Sequence, residues 1–174
     1  MEDWTLRWIL GQAVSLTALA LCIVAFSSKR DDRLFVILVF ANVAFAAQFA
    51  LFQSWVASGI SALIVLRILL ARRYPSHAGI MVAVLIATLA IAALTWSGPR
   101  DIPALAAGLL GTYGMFMLRG IAMRAVLAGA AFCWIISNLL AGSIGGSIAE
   151  TLIFITNVVT MQRLRRDALL HGTP

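Results

Sequence analysis

The chain has 174 residues, of which 62% are hydrophobic and only 11% are charged, and its mean hydropathy is +0.99. An average soluble domain contains roughly 45–50% apolar residues, so this composition indicates an integral membrane protein. Hydrophobic stretches fill nearly the whole length and leave little room for a soluble domain. The composition therefore argues against a soluble enzyme, a secreted disulfide-rich domain and a nucleic-acid-binding module, although the net charge is +6.

Seven hydrophobic stretches are each about long enough to cross the roughly 30 Å hydrocarbon core of a bilayer as a helix. These predicted spans are residues 4–26, 34–52, 54–71, 79–96, 102–117, 121–140 and 143–162. The long apolar run over 34–71 divides at an interfacial turn at residues 53–55, and the run over 121–162 divides at residues 141–143. The predicted fold is therefore an all-α integral membrane bundle of seven transmembrane helices.

Lysine and arginine are distributed unevenly between the two ends of these helices. Ten of them lie on the side of the C-terminus and only Arg7 and Arg100 on the other side, with Arg67 inside a span left uncounted. The ten are Lys29, Arg30, Arg33, Arg72, Arg73, Arg119, Arg124, Arg163, Arg165 and Arg166. The positive-inside rule then places the C-terminus in the cytoplasm and the N-terminus in the periplasm. The expected partner of this charge is the anionic surface of the lipid bilayer, not a nucleic acid.

A shift of the sequence by 90 residues aligns Lys29 with Arg119 and Gln48 with Asn138. The shift places helices one to three over helices five to seven, with the fourth helix as a linker that lets the two triplets run parallel. The predicted 3+1+3 parts are a first repeat at about 4–71, a linker helix at about 79–96, a second repeat at about 102–162 and a short cytoplasmic tail at 163–174. Parallel repeats of this kind occur in transporters, with the solute site between the halves.

The sixth and seventh spans carry a recognisable pattern. Residues 133–138 read Cys-Trp-Ile-Ile-Ser-Asn, residues 141–146 read Ala-Gly-Ser-Ile-Gly-Gly, and Glu150 follows. This pattern resembles the signature of the YgjV family of bacterial inner-membrane proteins. That family distantly resembles the SWEET, PQ-loop and nicotinamide riboside transporters, and the resemblance implies a 3+1+3 bundle that moves a small solute. The chain lacks a Pro-Gln dipeptide and has only Pro103 within a span, so a proline-hinge mechanism is not expected.

Glu150 is the one acidic residue within a predicted span beyond the extreme N-terminus. A carboxylate inside a membrane is costly unless it is protonated, paired or in contact with a water-filled cavity. Gly146, Ile153, Asn157 and Thr160 lie on the same helical face, and this mixture of small and polar residues favours an interior position. Glu150 and Asn157 are therefore candidate binding residues. The alternative for Glu150 is a hydrogen-bonded packing contact between helices.

Trp134 and Asn138 lie one turn apart on the sixth span, near the depth of Glu150. The remaining tryptophans fall at the outer boundary, as in an interfacial aromatic belt: Trp4, Trp8, Trp55 and Trp96. An interior indole next to a carboxamide and a carboxylate could stack on and hydrogen-bond a sugar or a heterocycle. The alternative is a packed tryptophan whose N–H bonds a neighbouring helix.

Asn42 and Gln48 on the second span are six residues apart, about 240° around a helix, so they do not share a face. Asn42 lies near the middle of the membrane, and Gln48 is aligned with Asn138 in the repeat. Each is a candidate solute-binding residue or, alternatively, a source of an interhelical hydrogen bond.

Arg67 lies five residues before Arg72, close to the cytoplasmic end of the third span. We expect its long side chain to reach the cytoplasmic headgroups, and a pair with Glu150 is the less favoured alternative. Gly108, Gly111 and Gly114 recur every three residues on the fifth span, which predicts close helix packing.

Cys22 and Cys133 lie in separate spans, without a histidine at metal-ligand spacing. We therefore expect no metal site and no cofactor. A single carboxylate without a histidine or a second acid is also a poor catalytic constellation, so we expect no enzymatic activity. The sequence favours a small-solute transporter or facilitator that works by alternating access, with a non-transporting structural or regulatory inner-membrane protein as the alternative.

Overall fold

The computed structural model describes residues 2–27 and 31–171. Seven α-helices and one short 3₁₀ turn, Pro99–Asp101, make up nearly all of this described part. The helices are α1 (Glu2–Ser27), α2 (Asp31–Leu51), α3 (Trp55–Arg73), α4 (Ala78–Thr95), α5 (Ile102–Met117), α6 (Gly120–Ala141) and α7 (Ile144–His171). The predicted all-helical fold is confirmed, and α5 has the predicted bounds.

Five apolar stretches within these helices are long enough, by length and composition, to cross a membrane. They are Thr5–Ala25, Trp55–Arg73, Ala78–Thr95, Gly120–Ala141 and Ile144–Leu169, and α2 contributes a shorter apolar stretch, Val36–Leu51. The outer surface of the bundle is rich in large apolar side chains such as Phe40, Ile86 and Leu139, each about 60% exposed. Since soluble monomers rarely expose so much contiguous apolar surface, the structure is compatible with a protein surrounded by lipid.

The two predicted divisions of the long apolar runs are confirmed as tight turns. Gln53 has a φ of 59° and Gly142 a φ of 75°, so each turn contains a residue in the left-handed region. In both turns the next amide folds back onto the preceding helix: Ser54 N–H donates to the carbonyl of Phe49 at 2.8 Å, and Ser143 N–H to the carbonyl of Asn138 at 2.9 Å. These bonds satisfy carbonyls that the helix ends would leave unpaired.

Helix α7 is longer than the predicted span. The predicted span ended at residue 162, whereas the helix continues to His171. The added turns carry exposed Arg163, Arg165 and Arg166. Arginine is a good helix former, and no glycine or proline interrupts the sequence before Gly172, so hydrogen bonding continues after the apolar segment ends.

The helices pack in a closed order. Helix α1 packs against α2 and α7, α2 against α3, α3 against α5, α5 against α6, and α6 against α7. Six helices therefore form a ring, and α4 lies outside it against α3 and α5.

Glycines permit the closest approaches within this ring. A Cβ atom at Gly145 would lie 2.5 Å from the backbone carbonyl of Ser15, so α7 approaches the backbone of α1 directly. A Cβ atom at Gly108 would lie 2.9 Å from the side chain of Ile60. The predicted role of the α5 glycines in close packing agrees with this geometry.

Candidate functional site

A cavity of about 290 Å³ lies inside the ring of helices. Its walls come from α2, α3, α5, α6 and α7. The lining residues are Leu38, Asn42, Ile64, Arg67, Ile68, Ala107, Gly111, Arg124, Leu127, Ala130, Ala131, Trp134, Glu150, Ile153, Thr156 and Asn157. We call it the central cavity. Four of the six candidate residues from the sequence line it: Glu150, Trp134, Asn157 and Asn42.

Glu150 and Trp134 form one part of this wall. Glu150 is half-buried on α7, on the same face as Ile153 and Asn157, which also line the cavity. Trp134 is 6% exposed, and its ring centroid lies 5.6 Å from that of Phe49 in a tilted arrangement. The indole therefore packs against α2 on one side and contributes to the cavity wall on the other.

Arg67 differs from the sequence expectation, because its side chain does not reach the headgroups. The residue is only 8% exposed, and its Nη1 donates a hydrogen bond to the carbonyl of Gly108 at 3.3 Å. The Nε atom is buried without a hydrogen-bond partner. A Cβ atom at Gly111 would lie 2.7 Å from Nη1, so the glycine makes the room that the guanidinium occupies against α5. The prediction of a snorkelling arginine is therefore wrong.

Arg67 and Glu150 contribute opposite charges to the same cavity. Both side chains line the central cavity, Arg67 from α3 and Glu150 from α7. Within residues 2–27 and 31–171, however, no direct ion pair joins them. Neither group therefore has a protein counter-ion in direct contact, and an ionised group in a low-dielectric interior is costly when it is unpaired.

Arg124 is a cavity residue that the sequence analysis missed. Its Nη1 donates to Asn157 Oδ1 at 3.3 Å, and Asn157 Nδ2 donates to the carbonyl of Ile153 at 3.0 Å. From the sequence, Arg124 was assigned to the headgroup charges on the side of the C-terminus. Its spacing from Leu127 and Trp134, at steps of three and seven residues, was the available signal for a shared face of α6.

Asn42 lines the cavity, and its Nδ2 also donates to the carbonyl of Leu38 at 2.8 Å. Gln48 and Asn138 lie elsewhere, in a buried network near the ends of α2 and α6. Gln48 Nε2 donates to Asn138 Oδ1 at 2.9 Å, and the Ser143 hydroxyl donates to Gln48 Oε1 at 3.0 Å. Of the alternatives for Gln48, the structure therefore contains the interhelical hydrogen bond.

Gln12 on α1 adds a further connection between the helices. It was not among the candidate residues predicted from the sequence. Its Nε2 donates to the carbonyl of Gly142, and its Oε1 accepts from the Ile144 amide at 3.1 Å. Gln12 thus ties α1 to the turn between α6 and α7. The side chains of Gln12 and Gln48 join helices α1 and α2 to helices α6 and α7 at the same end of the bundle.

A second cavity, of about 550 Å³, lies at this end. It is lined by Phe52, Gln53, Ser54, Ala57, Ser97, Gly98, Pro99, Arg100, Asp101, Ser137, Leu140 and Ala141. We call it the vestibule. The Asp101 carboxylate accepts a hydrogen bond from the Ser97 amide at 2.7 Å, which fixes the loop between α4 and α5 that forms one wall.

One buried apolar cluster reaches both cavities, since it contains Ala57 of the vestibule and Ala107 of the central cavity. Phe49, Ile60 and Trp134 belong to one buried cluster, and we call these three residues the barrier. On α6, Ser137 lines the vestibule and Trp134 lines the central cavity. The two residues are three positions apart, which is about 4.5 Å along a helix.

Comparison with known proteins agrees with the membrane fold. Residues 9–168 match the family Imp-YgjV, described as a bacterial inner membrane protein. The chain is also similar to the inner membrane protein YgjV of Escherichia coli (strain K12), with 26% identity over 162 residues that cover 93% of this chain and 87% of the relative. No solved structure is significantly similar. The family match covers nearly the whole chain, and the protein therefore belongs to the Imp-YgjV family of bacterial inner-membrane proteins.

Proposed function

We propose that the protein moves a small polar solute across the inner membrane by alternating access between two halves, α1–α3 and α5–α7. The observation that carries this proposal is the pair of cavities on either side of the barrier. The central cavity holds charged and amide side chains, and the vestibule is polar. An arrangement with solvent-accessible space on both sides of one thin layer is what alternating access requires.

The packing of the helices supports the division into two related halves. The contact of α1 with α2 corresponds to that of α5 with α6, and the contact of α2 with α3 corresponds to that of α6 with α7. The contact of α1 with α7 corresponds to that of α5 with α3. A rotation that exchanges the halves preserves each of these contacts. Helix α4 packs outside them, as a linker in a 3+1+3 bundle would.

The two tight turns support the same relation. The amide bonds of Ser54 and Ser143 follow one pattern, and the two serines are 89 residues apart. The sequence alignment used a shift of 90 residues, so the correspondence at the turns differs from it by one position. Parallel repeats related by an axis along the membrane normal occur in transporters.

The hydrogen bonds between the halves favour a conformation in which the central cavity is closed towards the vestibule. Gln12 and Gln48 both bond across the halves there. The central cavity extends away from this end, towards Ile68 and Arg124 near the other ends of α3 and α6. We infer that solute in this conformation reaches Glu150 from the side of the C-terminus, which the charge asymmetry assigns to the cytoplasm.

Uptake into proteoliposomes tests the proposal. The purified protein is reconstituted and offered radiolabelled sugars, nucleosides, vitamins and amino acids. We expect uptake of at least one class by the wild type and its loss in Glu150→Gln, because the amide nearly preserves shape but removes the charge. Thr151→Ala, at the neighbouring exposed position, is the matched control and should transport normally.

One outcome contradicts the transport proposal, and a second contradicts the role of Glu150 in it. Absence of uptake across the whole panel by folded wild-type protein would favour the alternative, a structural or regulatory membrane protein. Normal uptake by Glu150→Gln would remove Glu150 from the mechanism. We propose no enzymatic role, since the central cavity combines one carboxyl with two arginines and amides, without a histidine or second acid to complete a catalytic group.

A further inference from the structure

Three ionisable side chains line the central cavity: Arg67, Glu150 and Arg124. Arg124 donates a hydrogen bond to Asn157, whereas Arg67 and Glu150 have opposite signs and, in the described part of the chain, form no ion pair. Arg67 is more than nine-tenths buried, lines the cavity, and keeps a buried Nε without a partner. Glu150 lines the same cavity from α7. In the low-dielectric interior of the protein, a ligand that supplies the opposite charge gives each of these groups the largest electrostatic stabilisation.

We infer that the central cavity binds a small zwitterion, whose carboxylate contacts the guanidinium of Arg67 and whose ammonium group contacts the carboxylate of Glu150. This inference rests on the proposed function of the cavity as a solute site. It adds the class of solute and assigns one end of the solute to each residue.

A zwitterion fits these charges better than a simple ion does. An anion that binds Arg67 is repelled by Glu150, and a cation that binds Glu150 is repelled by Arg67. A ligand with both charges satisfies both residues and carries no net charge into the membrane. Guanidinium and carboxylate groups form charge-assisted hydrogen bonds of favourable geometry.

The size of the cavity restricts the solute further. Ligand pockets are commonly about 300–1,000 Å³, and the central cavity of about 290 Å³ lies at the low end of that range. Much of the remaining wall is apolar, including Ile64, Leu127 and Ile153. A molecule with one carboxylate, one ammonium group and a short side chain, such as an α-amino acid, matches both the volume and this wall.

Binding to the full-length protein in lipid nanodiscs tests the inference by calorimetry. The probes are the common α-amino acids, each tested singly, together with analogues that lack one charge. For alanine these analogues are propionate, which lacks the ammonium group, and ethylamine, which lacks the carboxylate; glucose is the uncharged probe. We expect at least one small amino acid to bind at least tenfold more tightly than either of its analogues.

Two variants separate the ends of the ligand. Arg67→Gln should weaken amino-acid binding at least tenfold and leave binding of the amine analogue unweakened. Glu150→Gln should weaken amino-acid binding similarly but leave binding of the carboxylate analogue unweakened. Arg163→Gln, at an exposed position on α7, is the control and should bind as the wild type does. If Arg67→Gln does not fold, Arg67→Lys is measured in its place. The wild-type affinities for alanine and ethylamine then still show what the carboxylate of the ligand contributes.

Several results would overturn the inference. The inference fails if no amino acid binds. It also fails if propionate or ethylamine binds as tightly as alanine does, or if glucose binds and the amino acids do not. Uptake of a neutral solute without amino-acid binding would leave transport standing and remove the zwitterion. Amino-acid binding without uptake would leave the ligand class standing and remove transport.

Discussion

The side-chain amide of Gln48 donates a 2.9 Å hydrogen bond to the carboxamide oxygen of Asn138, the residue 90 positions later. Both residues are almost fully buried. The two residues are aligned by the 90-residue shift in the sequence. Their hydrogen bond joins α2 directly to α6.

Replacement of Gln48 by leucine should destabilise the protein by about 1–2 kcal/mol, because Asn138 and Ser143 lose a buried partner. The free energy of unfolding is measured by titration with sodium dodecyl sulfate in mixed micelles. A double-mutant cycle with Asn138→Leu should give a coupling energy of about 0.6–1.7 kcal/mol, as for interhelical hydrogen bonds in other membrane proteins. Strict additivity of the two substitutions would show that the bond contributes nothing.

Gly145→Ala should be strongly destabilising, by about 3 kcal/mol or more. The new Cβ atom would lie 2.5 Å from the backbone of Ser15, and the backbone of α1 cannot move aside as a side chain can. Gly129→Ala is the matched control, since its Cβ atom would meet only Leu110 Cδ1 at 3.9 Å. The control should be neutral or slightly stabilising because alanine favours helix. Equal stability of the two variants in the same titration would contradict the close approach of α1 and α7.

Gly111→Ala should have a smaller effect on stability, about 1–2 kcal/mol, and a larger effect on ligand binding. The new methyl group meets the end of the Arg67 side chain, so the guanidinium must move away from α5. Calorimetry in nanodiscs should therefore detect weaker binding of any ligand that contacts Arg67. Unchanged binding by folded Gly111→Ala protein would separate Arg67 from the site.

Reporter fusions test the orientation that the charge asymmetry predicts. Alkaline phosphatase fused at the C-terminus should be inactive, and a fluorescent protein at the same position should be bright. Alkaline phosphatase fused after Gly98, in the loop between α4 and α5, should be active as the matched control. The reversed pattern would place the central cavity on the periplasmic side.

Cysteine labelling tests the barrier. In a background with Cys22 and Cys133 replaced by alanine, Ser137→Cys should react with a small, membrane-impermeant thiosulfonate added to intact cells. Thr156→Cys, which lies in the central cavity, should react only after the cytoplasmic side is exposed. Rapid labelling of both positions from the periplasm would mean that the barrier does not close the cavity in this conformation.

The helices were predictable from the sequence because membrane spans need long apolar runs. The apolar segment over residues 102–117 ends at the observed bounds of α5, and the turn at Gly142 has a residue suited to a left-handed conformation. The end of α7 was less predictable, since its last turns are polar and helical hydrogen bonding does not stop where hydropathy falls.

The site was predictable only in part. The periodic face of Glu150 and Asn157 on α7 predicted an interior position, because polar side chains at helical spacing avoid lipid. Arg67 was not predictable, since its buried position depends on space provided by Gly111 of another helix. The same limit applies to Arg124, whose partner Asn157 lies 33 residues away, and periodicity within one helix carries no information about such a partner.

The separation of about 4.5 Å between Trp134 and Ser137 along α6 also has an electrical consequence. If water fills the central cavity and the vestibule, each conducts the potential of its own side inward, and the transmembrane voltage falls mainly across the barrier. An elementary charge that crosses this layer would then experience nearly the full voltage, about 2.3 kcal/mol per 100 mV. A solute without net charge would cross it with no electrical work, so its transport rate would be independent of the membrane potential.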